Sequence, residues 1–92
     1  MFGSLHKCLS NYYLDNIDLE REHTVEYSSF WDSIRISFGN GDKIIIFRNR
    51  EKAGICRIYS AEWDEWRYMS GKRAWDFIER VRKTIKHDLL DF

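Results

Sequence analysis

The stretch Trp31-Asp-Ser-Ile-Arg-Ile-Ser-Phe-Gly-Asn-Gly-Asp-Lys-Ile-Ile-Ile-Phe-Arg48 decides the fold of this 92-residue chain. Apolar and polar residues alternate along it, and Asn40-Gly41 interrupts the alternation. This combination is the strongest short-range signal for a β-hairpin. We therefore predict two antiparallel strands, over residues 34–38 and 43–47, that turn at Asn40-Gly41.

A two-residue turn at this position also decides which side chains share a face of the sheet, because side chains alternate along a strand. The face that we expect to form the core holds Ile34, Ile36, Phe38, Lys43, Ile45 and Phe47. We predict that Ile34, Ile36, Ile45 and Phe47 are buried together. The second, mixed face holds Ser33, Arg35, Ser37, Ile44, Ile46 and Arg48.

Further strands are predicted on both sides of the hairpin. Residues 54–59 indicate a strand with Cys56 and Ile58 on one face and Arg57 on the other. The β-branched and aromatic residues of 24–29 indicate either a separate strand or the leading half of one long bent strand.

The helical region is predicted over residues 61–90. Ser60 is a good N-cap for it, and its first part carries Trp63 and Trp66 three positions apart. Ser70-Gly71 marks a stop or a kink. From Lys72 onward, apolar residues recur at helical spacing and form the stripe of a long amphipathic helix. The stripe consists of Ala74, Ile78, Val81, Ile85 and Leu89.

These elements predict one α+β domain over residues 1–92. An N-terminal helix and acidic arm occupy residues 1–22, where the apolar spacing of 4–13 indicates the helix and Ile17 and Leu19 pin the arm to the core. A small antiparallel sheet of three to four strands occupies residues 24–59, and the long C-terminal helix packs against it.

Charge is distributed unevenly along a chain whose formal net charge is zero. Residues 35–58 hold six basic and two acidic residues, whereas residues 1–34 hold two basic and six acidic ones. This polarity predicts a surface that meets an anionic partner. The fifteen aromatic residues also exceed what a core of this size hides, so some are expected to face a ligand or a second copy of the chain.

The sequence shows no catalytic residue set, metal site or cofactor motif. Cys56 alternates with apolar neighbours in a strand, which favours the role of a small buried hydrophobe. His6 and Cys8 lack a second pair of ligands at metal-binding spacing. We therefore predict a non-enzymatic protein without a cofactor. Two cysteines without a secretory signal, and no apolar run of about 18 residues, predict a cytoplasmic protein with no membrane span.

The basic and aromatic residues of the sheet form the remaining candidate site. Single-stranded nucleic acid is bound by cations that contact phosphates and by aromatic faces on which bases stack. The candidate binding residues are Trp31, Arg35, Lys43, Arg48, Arg50, Lys52, Arg57 and Tyr59. The alternative is a solvated sheet face whose arginines are paired to acids such as Glu26 or Asp32.

From Asp32 to about Ser70, the order of features resembles the single-stranded-DNA-binding domain of the transcriptional positive cofactor four family. The residues that carry the resemblance are Ile34 to Arg48, then Lys52-Ala-Gly-Ile, then Ser60-Ala-Glu-Trp-Asp-Glu-Trp. In that family the sheet binds single strands and the helix after it mediates a homodimer.

The resemblance implies roles for individual residues. It implies that Arg35, Lys43, Arg48 and Lys52 contact the nucleic-acid backbone. It also implies that the two tryptophans of the expected helix, Trp63 and Trp66, lie at a packing or dimer interface. The acidic N-terminal arm and the longer C-terminal helix are departures from the family pattern.

Two hypotheses follow from the sequence. The first is a small homodimeric domain that binds single-stranded nucleic acid without reading its sequence. The second is a protein-binding inhibitor or adaptor, for example a phage- or mobile-element-encoded protein that blocks a host nuclease or polymerase. Tryptophan, tyrosine and arginine dominate the energetic centres of protein interfaces, so the composition suits this class as well.

Overall fold

A computed structural model describes residues 17–48 and 56–91 of the chain. It contains an antiparallel sheet of five strands in which each strand pairs with its neighbours along the chain. The strands are β1 (His23–Ser28), β2 (Ser33–Phe38), β3 (Lys43–Phe47), β4 (Cys56–Ser60) and β5 (Glu65–Met69). A helix, α1 (Gly71–Thr84), and a short 3-10 helix (Asp88–Leu90) follow.

The α+β class is confirmed, and the strand count of three to four is corrected to five. β1 is a separate strand, so the first of the two alternatives for residues 24–29 holds. The predicted N-terminal helix over 4–13 lies outside the described residues.

One face of the sheet is buried against α1 and forms the core. The sheet contributes apolar side chains from β2, β3 and β4, and α1 contributes the face that carries Ile78 and Val81. Ile17 and Leu19 are both buried in the same cluster, which confirms that they pin the connector to the core. The α1 residue Arg80 also donates a hydrogen bond to the Ile17 carbonyl, so this part of the acidic arm lies on the helix side of the sheet.

The register of the central hairpin differs from the predicted one by a single residue. Ile36 pairs with Ile44, and Ile34 pairs with Ile46. Since a slip of one residue moves every side chain of a strand to the other face, β3 is inverted relative to the prediction. Ile44 and Ile46 lie in the core, whereas Ile45 and Phe47, which were predicted to be buried with Ile34 and Ile36, lie on the opposite face.

The turn of this hairpin explains the slip. The Phe38 N–H donates to the Asp42 carbonyl at 2.9 Å, and the Gly41 N–H donates to the Phe38 carbonyl at 3.0 Å, so the loop has three residues. Gly41 has a φ of +99°, and a positive φ is the feature that lets a three-residue loop close with a bulge. Residues 44–46 are all isoleucine, so β3 has no alternation of polar and apolar residues that would distinguish the two registers.

β5 occupies the place of the predicted first part of the C-terminal helix. Ser60 Oγ accepts a hydrogen bond from the Trp63 N–H at 3.3 Å, which is the bond expected of an N-cap. The chain nevertheless reverses at Asp64, which has a φ of +49°, and Glu65–Met69 pairs with β4. Trp66 and Tyr68 favour a strand because aromatic residues fit a pleated, half-buried surface.

The helix α1 is shorter than the sequence indicated. α1 ends at Thr84, and Ile85 is extended with φ −103° and ψ 97°. The Arg82 side chain donates to the Leu90 carbonyl at 3.0 Å and holds the returning chain. As a result Leu90 is buried, and Leu89, the last member of the predicted stripe, is only partly buried.

Asp42 joins three separate parts of the structure. Its carboxylate accepts hydrogen bonds from the Asn40 side chain at 3.0 Å, from the Arg21 guanidinium at 3.0 Å and from the Ala61 N–H at 2.8 Å. The residue is 2% exposed. It therefore ties the connector, the β2–β3 turn and the β4–β5 turn to one another.

We expect Asp42→Asn to lower the free energy of unfolding by about 1–3 kcal/mol, because the amide carries no charge to pair with Arg21 and a buried acceptor is lost. Chemical denaturation followed by tryptophan fluorescence measures the change. Asp18→Asn, a substitution at an exposed residue of the same connector, is the control and should change stability by less than about 0.5 kcal/mol. Equal effects of the two substitutions would contradict the role of Asp42.

Candidate binding groove on the open sheet face

The face of the sheet opposite α1 is open within the described part of the chain. Directly paired residues of neighbouring strands project to the same side, so this face is built of rows that cross the strands. The middle row is Glu26, Arg35, Ile45, Arg57 and Tyr68. The row nearer the β2–β3 turn is Thr24, Ser37, Lys43, Tyr59 and Trp66.

A groove of about 400 Å³ lies over the middle row. Ile45, which is 9% exposed, and Phe47 form its apolar floor. Trp31, which is 57% exposed, lines it beside the β1–β2 turn, and Trp66 and Tyr68 line it on β5. Aromatic rings therefore stand at both ends of an apolar floor.

Arg35 and Arg57 line the groove on either side of Ile45. They belong to strands two positions apart in the sheet, a separation of about 9–10 Å between the strands. The slip in register makes Ile45 the residue between them, because the predicted register would have put Ile46 opposite Arg35 on this face and Ile45 in the core.

Arg57 is held by aromatic rings. The central carbon of its guanidinium lies 4.6 Å from the ring centroid of Trp66 and 5.0 Å from that of Tyr68. Its Nε is buried and makes no hydrogen bond. Stacking of this kind fixes the plane of the guanidinium and leaves its terminal nitrogens as the groups available for an anion.

The Arg35 side chain is exposed and forms no ion pair with a described carboxylate. Glu26 is its direct cross-strand neighbour, yet no ion pair or hydrogen bond joins the two side chains. Asp32, the other acid expected to neutralise the face, instead accepts a hydrogen bond from the Tyr27 hydroxyl at 2.7 Å. Neither of the two acids named in the alternative is therefore paired with Arg35.

Lys43 and Tyr59 lie together at the margin of the groove. The Lys43 Nζ is 5.6 Å from the ring centroid of Tyr59, on the same face as Arg35 and Arg57. The Tyr59 ring in turn lies 5.1 Å from that of Trp66. These two predicted site residues therefore border the groove without lining it.

Arg48 is not part of this face, which corrects the prediction. Its guanidinium lies over the ring of Tyr27 at 5.5 Å, and Tyr27 is the cross-strand partner of the core residue Ile34. The one-residue slip therefore separates Arg48 from Arg35. Arg50 and Lys52 lie outside the described residues.

The two tryptophans assigned to a helical interface have different surroundings. Trp66 lies on β5 and lines the groove with Arg35 and Arg57. Trp63 lies in the β4–β5 turn and is partly exposed. Neither lies on a helix, which is the setting that the resemblance implies for them.

The β1–β2 and β4–β5 turns repeat one motif, Tyr-Ser-x-x-Trp-Asp, at residues 27–32 and 59–64. In both copies the tyrosine hydroxyl donates to the aspartate, at 2.7 Å in the first and 2.6 Å in the second, and both aspartates have positive φ. These hydrogen bonds raise the pKa of Tyr27 and of Tyr59. The first copy positions Trp31 at the groove.

Sequence reasoning missed Tyr68 as a groove residue and placed Ile45 and Phe47 in the core. The alternation of residues 65–69 and the recurrence of the turn motif were the signals that could have identified β5 and, through it, Tyr68. The floor residues carried no such signal, because their face depends on the turn geometry.

Among the described residues, no three His, Cys, Asp or Glu side chains come together as a metal site would require. No helix of the described residues has the length and apolar character needed to cross a membrane. Cys56 lies in the core, and its burial raises the pKa of the thiol to about 12.

We expect Cys56 to be unreactive toward iodoacetamide in the folded protein, because burial disfavours the thiolate and blocks access. In a Cys8→Ser variant, the labelling rate at pH 8 should rise by orders of magnitude when denaturant unfolds the chain. Because burial raises the pKa of the Cys56 thiol from its ordinary value of 9.0 to about 12, the stability that depends on the protonated thiol is fully present below pH 9.0 and is lost as the pH rises toward 12. Rapid labelling of the native variant, seen by mass spectrometry, would contradict the burial.

Comparison of the chain with protein-family models, with curated proteins and with solved structures finds no match. The groove must therefore be interpreted from its own chemistry.

Proposed function

We propose that this protein binds single-stranded nucleic acid in the groove on the open face of its sheet. The observation that carries the proposal is that Arg35 and Arg57 lie in one groove among aromatic rings without an ion pair to a described carboxylate. Phosphates attract cations of this kind, and aromatic faces stack on bases.

The aromatic lining supports a single strand over a duplex as the ligand. Bases in a duplex are stacked on one another, so their faces are not available to Trp31, Trp66 or Tyr68. In a single strand the faces are accessible, and each stack on an aromatic side chain contributes about 1–3 kcal/mol.

The floor of the groove supports binding without sequence preference. Ile45 and Phe47 carry no hydrogen-bonding side-chain groups, and base identity is read through hydrogen bonds to base edges. Stacking and phosphate contacts are common to every sequence.

The proposal does not need a second copy of the chain. The apolar stripe of α1 is buried against its own sheet, so it is not available as a dimer interface. A homodimer remains a prediction, and it would have to use another surface.

A fluorescence titration tests the proposal. Trp31 and Trp66 lie in the groove, so binding of oligothymidylate should quench tryptophan emission, and raising the salt concentration should weaken the binding. A duplex of equal length, which hides its base faces, is the control and should bind more weakly. If no single-stranded DNA or RNA binds at low salt, the proposal is wrong and a protein partner becomes the better hypothesis.

A further inference from the structure

We infer that the groove takes a segment of three nucleotides, with the two phosphates around the central nucleotide bound by Arg35 and Arg57. This inference rests on the proposed function and defines its footprint. It follows from the order of chemical groups across the middle row of the sheet.

The row presents cation, apolar surface and cation in that order, from Arg35 across Ile45 to Arg57. A single strand presents a phosphate, a nucleoside and the next phosphate in the matching order. The central nucleoside would therefore lie over Ile45 and Phe47, with one phosphate at each arginine. The strand crosses the β-strands rather than following them.

The ends of the groove set the limit of the segment. Trp31 lines the groove from the β1–β2 turn, and Trp66 and Tyr68 line it on β5 beyond Arg57, so rings are offered to the bases that flank the central nucleotide. On one side the described sheet ends at β5, and on the other side Glu26 follows Arg35 in the row and would repel a further phosphate. A fourth nucleotide would find no further site of the same kind.

Arg57 is the more specific of the two phosphate ligands. Its guanidinium is held by Trp66 and Tyr68, and its Nε is enclosed without a hydrogen bond. The terminal nitrogens of such a side chain approach an anion in a fixed plane, which lysine cannot reproduce. Arg57→Lys should therefore weaken binding nearly as much as Arg57→Gln.

A length series of oligothymidylates without terminal phosphates tests the footprint in the intact protein. The dinucleotide carries one phosphate and the trinucleotide carries two, so the affinity should rise at least tenfold from dT2 to dT3. From dT3 to dT8 the affinity should rise only about sixfold, because a three-nucleotide segment can bind at six positions along dT8. The slope of log affinity against log salt should be about −1.4 for two phosphates on a single strand.

The control variant is Lys83→Gln, which removes an exposed cation of α1 on the other side of the sheet. It should leave the slope unchanged, whereas Arg35→Gln should reduce its magnitude by about 0.7. A steady gain in affinity per added nucleotide to dT8, or a loss of slope in the Lys83 variant, would overturn the footprint. Binding of dT8 but not dT3 would overturn it while leaving the proposed function intact, whereas no binding at any length would remove both.

Discussion

Reversing the charge of both groove arginines, Arg35→Glu with Arg57→Glu, should weaken binding of single-stranded DNA on the order of 100-fold at low salt. Two attractive contacts with phosphates become two repulsive ones, and the remaining salt dependence should nearly vanish. Fluorescence titration at two salt concentrations measures both effects. The melting temperature of the variant, followed by circular dichroism, shows whether the fold survives.

The control is Arg48→Glu, which makes the charge change of one of these two reversals on the opposite side of the sheet. Arg48 lies over Tyr27 and does not line the groove, so its reversal should weaken binding by less than threefold. A loss in this variant as large as that in Arg35→Glu would place the binding surface elsewhere. Single reversals of Arg35 and Arg57 should each give an intermediate loss.

The second large effect is expected in the core, where Ile78→Asp should unfold the protein. Ile78 is fully buried between α1 and the sheet, and burying an unpaired carboxylate there costs several kcal/mol. A domain of this size has only about 5–15 kcal/mol of stability in total. Loss of the cooperative thermal transition and exposure of hydrophobic surface to a dye would report the unfolding.

Lys83→Asp is the control for this substitution because Lys83 is exposed on the same helix. It removes a favourable charge from the last turn and should cost about 1 kcal/mol. A folded Ile78→Asp variant with an unchanged melting temperature would show that the stripe does not pack against the sheet. Comparable losses of stability in both variants would show that an acidic residue destabilises α1 whether or not it is buried.

Some of the residues that line the groove were predicted from the sequence as binding residues, and others were not. Trp31, Arg35 and Arg57 were predicted as binding residues, and the structure brings all three together. Trp66 was predicted at a packing or dimer interface, because the resemblance implies a helix for the segment that holds Trp63 and Trp66. The pairing of β5 with β4 places Trp66 in the groove instead.

The sequence by itself determined the features that local chemistry controls. Polar–apolar alternation places Ile34 and Ile36 in the core and Arg35 on the open face, and the glycine turn joins β2 to β3. The apolar pair in the connector and the helical spacing of Ala74, Ile78 and Val81 likewise identified core residues. Each of these local sequence patterns is compatible with only one assignment of residues to the core or to the open face.

The tertiary structure decided the features for which a local pattern allows two arrangements. The run of isoleucines in β3 satisfies either register, and the three-residue loop at Gly41, with Asp42 bonded to Arg21 and Ala61, selects one of them. Ser60 caps a turn in a helix or a hairpin equally well, and pairing with β4 selects the hairpin. Long-range hydrogen bonds and burial in a common core determine both the register of β3 and the hairpin of β4 and β5. These interactions act between residues that are distant in the sequence, so no local pattern reveals them.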